Sequence, residues 1–327
     1  MRDVRAIQIE RTGTPDVMKV ATVSVGEPGP GEVRVRHHAC GINFIDTYHR
    51  TGLYPLPLPA VLGVEGAGVI EATGSGVTHV AVGDRVGYAA RTPGSYSEAR
   101  IVTAACVAKL PDDIETEAAA AMMLKGLTVQ YLLRRTRAPI HPGDYIVWHA
   151  AAGGVGLIAC QWASALGYQV IATAGSREKC DLALAHGAAH AIDYKTEDVV
   201  GRVRDLTNGK GVPAVFDSVG RDTWERSLDS LAPLGLMVSF GNASGAVPPI
   251  SLGQLASKGS LHVTRPTLNT HLTSAEVTQQ MSGELFAMVA SGKVKIPIER
   301  RYPLEQAAQA HRDLEARVTT GAGILVP

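Results

Sequence analysis

The residues that point most clearly to a chemical function form a turn of small side chains, with the spacing of a dinucleotide-binding fingerprint. Gly153 and Gly156 fill its second and third glycine positions, and Ala151 stands where the first glycine would be. Such a turn lets the backbone approach a pyrophosphate, whose charge the free N–H groups at a helix N-terminus receive. Because small residues also serve tight helix–strand packing, the turn alone leaves a packing interpretation open.

Two elements must position this turn, a buried strand before it and a helix after it. The apolar run 145–149 predicts the strand, and the apolar segment that continues to Leu166 predicts the helix. From Asp144 onward, strand and helix patterns alternate. Strands are predicted at 169–173, 190–193, 214–217, 236–240 and 260–263, and helices at 177–186, 197–206 and 223–231. This alternation predicts an α/β fold with a doubly wound parallel sheet.

The residues before this region predict a different, β-rich and barrel-like domain. Short strand patterns at 32–36, 68–72, 84–88 and 97–102 are separated by turn signals such as Pro28-Gly-Pro-Gly31. A helix is predicted from about Thr116 to Leu133. Beyond the α/β region, we predict helices at 275–291 and 304–317 and a strand at 322–326 that returns the chain to the β-rich domain.

Composition excludes several classes of protein. The 31 basic and 31 acidic residues balance, which gives no reason to expect a nucleic acid or an anionic membrane as a partner. The four cysteines are far apart and include no CxxC pair, which favours free thiols in a reducing compartment. The N-terminus lacks the apolar stretch of a signal peptide, and His149, Gln161 and two glycines interrupt the apolar segment 145–166. We therefore expect a cytoplasmic protein.

The end of the second predicted strand indicates which dinucleotide would bind. An acidic residue there usually receives the ribose 2′-hydroxyl of NAD, and this chain has none at the strand end. Gly175 leaves room, Ser176 can donate a hydrogen bond, and Arg177 and Lys179 supply positive charge for a 2′-phosphate. These features favour NADPH. The alternative is that Ser176 only caps the next helix while the two cations are solvated, although capping and phosphate binding can coexist.

Further motifs extend along nearly the whole chain. They include Gly41-Ile-Asn-Phe-Ile-Asp-Thr-Tyr48, Leu62-Gly-Val-Glu-Gly-Ala-Gly68, Leu124-Lys-Gly-Leu-Thr-Val129, Asp217-Ser-Val-Gly220 and Val238-Ser-Phe-Gly-Asn242. With these motifs the chain resembles the zinc-free medium-chain dehydrogenase/reductases, and within them the NADPH:quinone oxidoreductases related to zeta-crystallin, especially the bacterial ones. The resemblance implies a GroES-like catalytic domain at 1–125 and 267–327, a Rossmann domain at 126–266, NADPH in the cleft between them, and a homodimer.

The resemblance also implies an acceptor pocket. It places Asn43, Tyr48 and Thr128 beside the nicotinamide, where Asn43 would offer an amide N–H and Tyr48 a ring and a hydroxyl. Lys125 would stabilise a quinol oxyanion. For Asn43, Tyr48 and Lys125 a purely structural role remains an alternative. Tyr48 could be a core aromatic, Asn43 could hold a turn, and Lys125 could pair with a carboxylate such as Asp46 or Glu65.

The same resemblance implies the cofactor contacts. The pyrophosphate would lie against Gly153, Gly154, Val155 and Gly156, and the 2′-phosphate against Gly175, Ser176 and Lys179. Tyr194 would reach the adenosine end. Further cofactor contacts are expected at the carboxyl ends of later strands, from Ser218, Phe240, Gly241 and Asn242. Arg265 and Arg317 are candidates for longer-range phosphate contacts, with a surface or interface charge as the alternative.

No metal is expected. Zinc-dependent relatives place Cys, His and typically Cys where this chain has Asn43, Val64 and Lys125, which are unsuitable ligands. His186 and His190 are expected to be a solvated surface pair. A quinone is electrophilic enough to accept a hydride without a Lewis acid, so metal-free reduction of quinones is the leading hypothesis. The alternatives are an NADPH-dependent reductase of activated alkenes (enones or 2-alkenals) and a non-catalytic NADPH-binding stress protein.

Overall fold

The structure is a computed structural model that describes residues 1–136 and 138–327, which form two compact units. The first unit comprises Met1–Thr128, His271–Gly292 and Ile296–Pro327. The second comprises Val129–Thr270 and Lys293–Lys295. No helix in the described part of the chain is long and apolar enough to cross a membrane.

The first unit is built on two β-sheets. Its strands are β1 (Arg2–Ile9), β2 (Lys19–Val25), β3 (Glu32–Gly41), β4 (Ala60–Val61), β5 (Glu65–Thr73), β6 (Arg85–Ala89), β7 (Ala99–Thr103), β8 (Val107–Lys109), β15 (Ile298–Pro303) and β16 (Ala322–Val326). The small sheet has the order β2-β1-β4, and the large one has the order β15-β16-β3-β5-β6-β8, with β7 also paired to β3. Strand β16 pairs antiparallel with β3, which confirms the predicted return of the last strand.

Four α-helices and three short 3₁₀ turns accompany these sheets. The helices are α1 (Phe44–Thr51), α2 (Thr116–Arg134, which continues into the second unit), α9 (Ala275–Ala290) and α10 (Ala307–Glu315). The 3₁₀ turns are Pro15–Val17, Ala104–Cys106 and Leu304–Gln306. The helix predicted at 304–317 is therefore too long at both ends. It begins as a 3₁₀ turn, and Arg317 has a left-handed φ of 57°, which cannot continue an α-helix.

The second unit is a six-stranded parallel sheet with the order β11-β10-β9-β12-β13-β14. Its strands are β9 (Tyr145–Trp148), β10 (Gln169–Ala174), β11 (His190–Asp193), β12 (Val212–Asp217), β13 (Leu231–Ser239) and β14 (His262–Thr264). Its helices are α3 (Gly154–Ala165), α4 (Arg177–Ala185), α5 (Val199–Leu206), α6 (Trp224–Asp229), α7 (Leu252–Ser257) and α8 (Leu268–His271, which ends one residue inside the first unit). The strand order reverses at β9, and ligands bind such sheets at the carboxyl ends of the strands beside that reversal.

One predicted boundary in this sheet is wrong. Strand β13 begins at Leu231, whereas the sequence predicted a helix to 231 and a strand from 236. Leu231 pairs with Val212 of β12, and the register shifts before Ala214. Pro233 and Gly235 lie inside this strand and are both unfavourable in strands, but pairing with the neighbouring strand overrides that local preference. The prediction of a doubly wound α/β fold beside a β-rich domain is confirmed.

Candidate functional site

The small-residue turn links β9 to α3 at the reversal of the sheet. Ala150 has a left-handed φ of 54°, and the N–H of Gly153 donates to its carbonyl at 3.0 Å. A Cβ on Gly156 would lie 2.5 Å from the Ala150 oxygen and from two backbone atoms of Ala151. The glycine therefore lets the first turn of α3 pack directly on the backbone of the turn.

The N-terminus of α3 suits an anion. Its N-cap is Gly153, and no side chain caps this helix within the described residues. Gly153, Gly154 and Val155 are half-buried, whereas Gly156 is buried, so the two glycines leave backbone accessible at the start of the helix. Free N–H groups at the positive end of a 12-residue helix are the features that a pyrophosphate requires.

A buried polar network that the sequence did not reveal holds the residue before this turn. The ring of His149 lies with Nδ1 2.8 Å from Thr173 Oγ1 and Nε2 2.9 Å from Ser227 Oγ. Ser227 and Thr223 donate to Asp217 Oδ2 at 2.7 and 2.6 Å. Burial lowers the pKa of His149, so the ring is neutral. The signals available in the sequence were a polar residue at the end of an apolar strand and the Asp217-Ser-Val-Gly220 motif.

The second turn, after β10, contains the residues proposed for a 2′-phosphate. Gly175 lies directly against Tyr194, since a Cβ at this position would be only 2.6 Å from the Tyr194 hydroxyl oxygen. Ser176 Oγ accepts the Lys179 N–H at 3.4 Å and so caps α4, as the structural alternative expected. Arg177 pairs with Asp181 at 3.0 Å, but its side chain is 82% exposed, so it is a solvated cation, as the same alternative expected. Capping leaves the hydroxyl at a helix N-terminus, where it can also face an anion.

The remaining cofactor candidates follow later strands. Ser218 and the segment 240–242 lie directly after β12 and β13, and a Cβ on Gly241 would lie 2.5 Å from the Ser218 carbonyl oxygen. The Phe240 ring lies 5.7 Å from that of Trp148, and Asn242 is half-buried. Ser218, Phe240, Gly241 and Asn242 therefore form two adjoining turns at the carboxyl edge of the sheet.

The two arginine candidates lie away from these turns along the chain. Arg265 follows β14 in the second unit and is exposed. Arg317 follows α10 in the first unit and is exposed as well. Their contact with a phosphate stays a prediction.

In the first unit, two of the candidates for the acceptor pocket, Asn43 and Lys125, meet at one buried carboxylate. Glu65 is fully buried, and its Oε2 accepts from Asn43 Nδ2 at 2.7 Å and from Lys125 Nζ at 3.0 Å. Its Oε1 accepts the Leu124 N–H at 2.7 Å. A Cβ on Gly41 would lie 2.1 Å from Glu65 Oε2, so the strand closes over the carboxylate. The lysine therefore pairs with a carboxylate, as the structural alternative expected, and that pairing fixes where its charge lies.

Asn43 also begins helix α1. Its backbone N–H donates to Asp46 Oδ2 at 2.9 Å, so it holds a helix start as well as reaching Glu65. Desolvation by burial raises the pKa of Asp46 to about 7. The sequence considered Asp46 and Glu65 only as possible partners of Lys125, and it missed their role in orienting Asn43.

Tyr48 and Thr128 complete the proposed pocket residues. Tyr48 lies in α1, is 8% exposed, and contacts the Tyr54 ring edge-on at a centroid distance of 5.1 Å. Thr128 is half-buried in α2. Tyr48 is therefore buried, as expected for a core aromatic, while its role toward a substrate stays a prediction.

The donor atoms in this unit do not fit a catalytic zinc. At the positions that zinc-dependent relatives use, Asn43 and Lys125 direct N–H donors at Glu65, and Val64 is buried and apolar. Within residues 1–136 and 138–327, no group of three His, Cys, Asp or Glu side chains could hold a metal ion. The four cysteines are free and buried.

The histidine pair is partly accessible to solvent, as expected for a surface pair, and each ring also has a hydrogen-bond partner. His186 ends α4 and its Nδ1 lies 2.8 Å from the Leu182 carbonyl, whereas His190 lies 3.5 Å from the Tyr145 hydroxyl. Both rings are half-buried, and Gly187 (φ 94°) ends the helix between them.

The chain is similar to known proteins over its full length. The family model described as "Alcohol dehydrogenase GroES-like domain" matches residues 29–112, and the one described as "Zinc-binding dehydrogenase" matches residues 154–284. A quinone oxidoreductase from Pseudomonas aeruginosa is 54% identical over 324 residues, covering 99% of both chains. A 2-haloacrylate reductase from Burkholderia sp is 42% identical over 332 residues, again covering 99% of both. The crystal structure of Escherichia coli quinone oxidoreductase complexed with NADPH has a TM-score of 0.96 and 50% identity, covering 99% of this chain and 100% of that one.

Proposed function

Because the chain belongs to the quinone oxidoreductase family of the medium-chain dehydrogenase/reductases, we propose that it uses NADPH to reduce quinones without a metal. The resemblance predicted from its motifs is confirmed, since relatives at 50–54% identity match it from end to end. Oxidoreductase activity follows from this membership. The choice of quinones, the absence of zinc and the residue roles below are the proposal.

The second unit offers a cradle that fits NADPH. The close packing at Gly156 and the uncapped N-terminus of α3 suit the pyrophosphate. Gly175, Ser176 and Lys179 form a turn without an acidic residue at the strand end, which suits a 2′-phosphate. When bound, NADPH supplies the hydride. We assign Tyr194, Ser218 and the segment 240–242 to the remaining contacts, with Arg265 and Arg317 as candidates for longer-range charge.

The observation that carries the proposal is the Lys125–Glu65 pair. In zinc-dependent relatives the metal polarises the substrate oxygen, and here an ammonium lies among the residues that replace its ligands. An ammonium has three N–H donors, and Glu65 Oε2 receives one of them at 3.0 Å. We propose that Lys125 stabilises the negative charge that hydride addition leaves on a quinone oxygen.

Asn43 would complete this stabilisation. Its side-chain amide has two N–H donors, and the bond from Nδ2 to Glu65 Oε2 at 2.7 Å fixes the plane of the amide. A donor held in advance toward developing charge costs no reorganisation during the reaction. We further propose that Tyr48 packs its ring against a flat acceptor and that Thr128 lines the nicotinamide side of the pocket.

Turnover by chelator-treated protein tests the proposal. We expect 1,4-benzoquinone to cause rapid loss of the nicotinamide absorbance of NADPH and slow loss of that of NADH. Added zinc should not increase the rate. Binding of NADPH without turnover of any acceptor would instead support a non-catalytic NADPH-binding protein. Activity that disappears with chelator and returns with zinc would refute metal-free chemistry.

Activated alkenes are the second candidate substrates, because the 2-haloacrylate reductase relative matches the chain over its full length. An electron-poor alkene accepts a hydride much as a quinone does, and the charge develops on a conjugated oxygen that the same donors could stabilise. A matched assay with 2-chloroacrylate and a simple enone separates the candidates. A kcat/KM for the alkenes well above that for benzoquinone would make alkene reduction the better assignment.

The homodimer implied by the family resemblance stays a prediction. Sedimentation velocity over a range of protein concentrations checks it. A single species of twice the 34.4 kDa chain mass is expected, and a monomer throughout would overturn it.

A further inference from the structure

A second buried hydrogen-bonded chain approaches Asn43 from the side of the C-terminal helix α10. Arg50 of α1 is 1% exposed, and its Nη1 lies 3.0 Å from His311 Nδ1. The opposite ring atom, His311 Nε2, lies 3.2 Å from the Tyr96 hydroxyl oxygen. That hydroxyl donates to Asp46 Oδ2 at 2.8 Å. Nothing in the proposed chemistry uses Tyr96 or His311 directly.

The hydrogen bonds that link Arg50, His311, Tyr96 and Asp46 can have only one donor-to-acceptor direction. An arginine guanidinium donates and cannot accept, so His311 Nδ1 must be the acceptor of the Arg50 N–H. The ring is neutral, because burial and the charge of Arg50 lower the pKa of His311 to about 3. Its single hydrogen therefore lies on Nε2 and is donated to the Tyr96 oxygen, which leaves the Tyr96 hydrogen for Asp46.

The guanidinium of Arg50, the first donor in this series of hydrogen bonds, is held in place by other partners. Its Nε donates to the Gly13 carbonyl at 3.0 Å, and its Nη2 and Nη1 donate to Glu315 at 2.5 and 3.1 Å. Paired guanidinium–carboxylate bonds are strong and directional. The first link of the chain therefore has little freedom to reverse.

The chain ends on the carboxyl oxygen that also holds Asn43. Asp46 Oδ2 accepts from Tyr96 and from the Asn43 backbone N–H at 2.9 Å. The other oxygen, Oδ1, is buried and has no hydrogen-bond partner among the described residues. The orientation of this carboxyl therefore depends on the two donors at Oδ2, and one of them is Tyr96.

From this geometry we propose that Tyr96 and His311 are positioning residues, which orient the Asp46 carboxyl so that it fixes the backbone of Asn43. The direction of the Asn43 amide toward the acceptor follows from that backbone. The effect on turnover rests on the proposed function, which assigns Asn43 to the acceptor pocket. The effect on the Asn43 backbone does not depend on it.

Two substitutions of His311 separate the donor from the acceptor atom of the ring. In His311→Gln the amide nitrogen can take the place of Nε2 and keep the bond to Tyr96. In His311→Asn the amide oxygen can take the place of Nδ1 and keep the bond from Arg50, but no donor reaches Tyr96. Tyr96→Phe removes only the hydroxyl. A purely structural role for the histidine would make the Gln and Asn variants similarly impaired.

The first readout is steady-state turnover by the full-length protein with NADPH and benzoquinone. We expect Tyr96→Phe and His311→Asn to lower kcat about tenfold, the effect of losing one buried hydrogen bond, with the KM for NADPH little changed. His311→Gln should stay within about twofold of the wild type. The matched control is Tyr302→Phe, which removes a hydroxyl bonded to Asp313 in the same unit and should leave kcat unchanged.

The second readout is amide hydrogen exchange of the peptide that contains Asn43, measured on the same proteins without substrate. Exchange should be faster in Tyr96→Phe and His311→Asn and unchanged in His311→Gln and Tyr302→Phe. Unchanged exchange in Tyr96→Phe would overturn the positioning role. Faster exchange in a protein that turns over neither quinones nor alkenes would refute the proposed function and leave the positioning role standing.

Discussion

The substitution Gly156→Ala tests the turn at the start of α3. The added methyl carbon would lie 2.5 Å from the Ala150 oxygen and from two backbone atoms of Ala151, whereas ordinary contacts begin near 3.4 Å. The neighbours are backbone atoms, which cannot rotate away, so the turn and α3 must separate by about 1 Å. Overpacking of this kind costs about 1–3 kcal/mol, and contact with three backbone atoms favours the upper end.

A loss of about 3 kcal/mol corresponds to a fall of roughly 6–12 °C in the Tm of a domain of this size. Thermal unfolding followed by circular dichroism measures that fall, and a fluorescence titration measures the accompanying loss of NADPH affinity. The control is Gly283→Ala in α9, where no described atom lies within 4 Å of the new Cβ. That change should stabilise the helix by about 0.5–1 kcal/mol.

The intermediate case is Gly153→Ala, whose Cβ would lie 3.3 Å from the Ala150 oxygen and should cost less than the change at Gly156. The order of Tm expected is therefore Gly283→Ala, wild type, Gly153→Ala and Gly156→Ala, from highest to lowest. If Gly156→Ala unfolds at the wild-type temperature and binds NADPH with wild-type affinity, the close approach at this turn is not what stabilises it, and the reasoning is refuted.

Three other substitutions test charges. Lys179→Glu should raise the KM for NADPH far more than that for NADH. The difference between the two effects should correspond to the loss of at least one charged hydrogen bond, which is about 1.5–3 kcal/mol. Equal effects on the two KM values would show that the 2′-phosphate lies elsewhere. Lys125→Met should destabilise the protein by about 3–5 kcal/mol in urea unfolding, because it leaves Glu65 buried without its cation; adding Glu65→Gln should recover part of the loss, and no recovery would contradict the pairing. Burial raises the pKa of Asp46 from 3.8 to about 7, so the stability that its protonated form contributes is present below pH 4 and is lost as the pH rises through 7. Relative to the wild type, Asp46→Asn should therefore gain up to about 4 kcal/mol of stability between pH 4 and pH 8, and a difference independent of pH would count against a raised pKa.

Local pattern was sufficient for most of the fold. The apolar run 145–149, the glycine turn and the apolar segment after it predicted a strand, a turn and a helix, which the structure shows as β9, the turn and α3. The alternation of strands and helices after them predicted the parallel sheet. The predictions failed at the ends of some helices and strands, because pairing between neighbouring strands decides where a strand begins. Leu231 belongs to β13 because Val212 lies beside it in the sheet, and the Pro and Gly that follow gave no sign of that.

The candidate site divides in the same way. The turns that we propose for the cofactor could be chosen from the sequence, because a phosphate site needs small residues at short, fixed spacing between a strand and a helix. The resemblance to a known family supplied Asn43, Tyr48, Lys125 and Thr128, and their roles stay predictions. The structure added what surrounds them, above all the buried carboxylates of Glu65 and Asp46.

By itself, then, the sequence determined the class of fold and the position of the small-residue turn between β9 and α3, because side-chain periodicity and turn residues act within short windows of the chain. Only the tertiary structure decided which polar groups meet. Lys125 reaches Glu65 across 60 positions and Tyr96 reaches His311 across 215. Such bonds leave no periodic trace, since each depends on how separate strands and helices pack, and burial then makes every unpaired donor or acceptor costly enough to fix its partner.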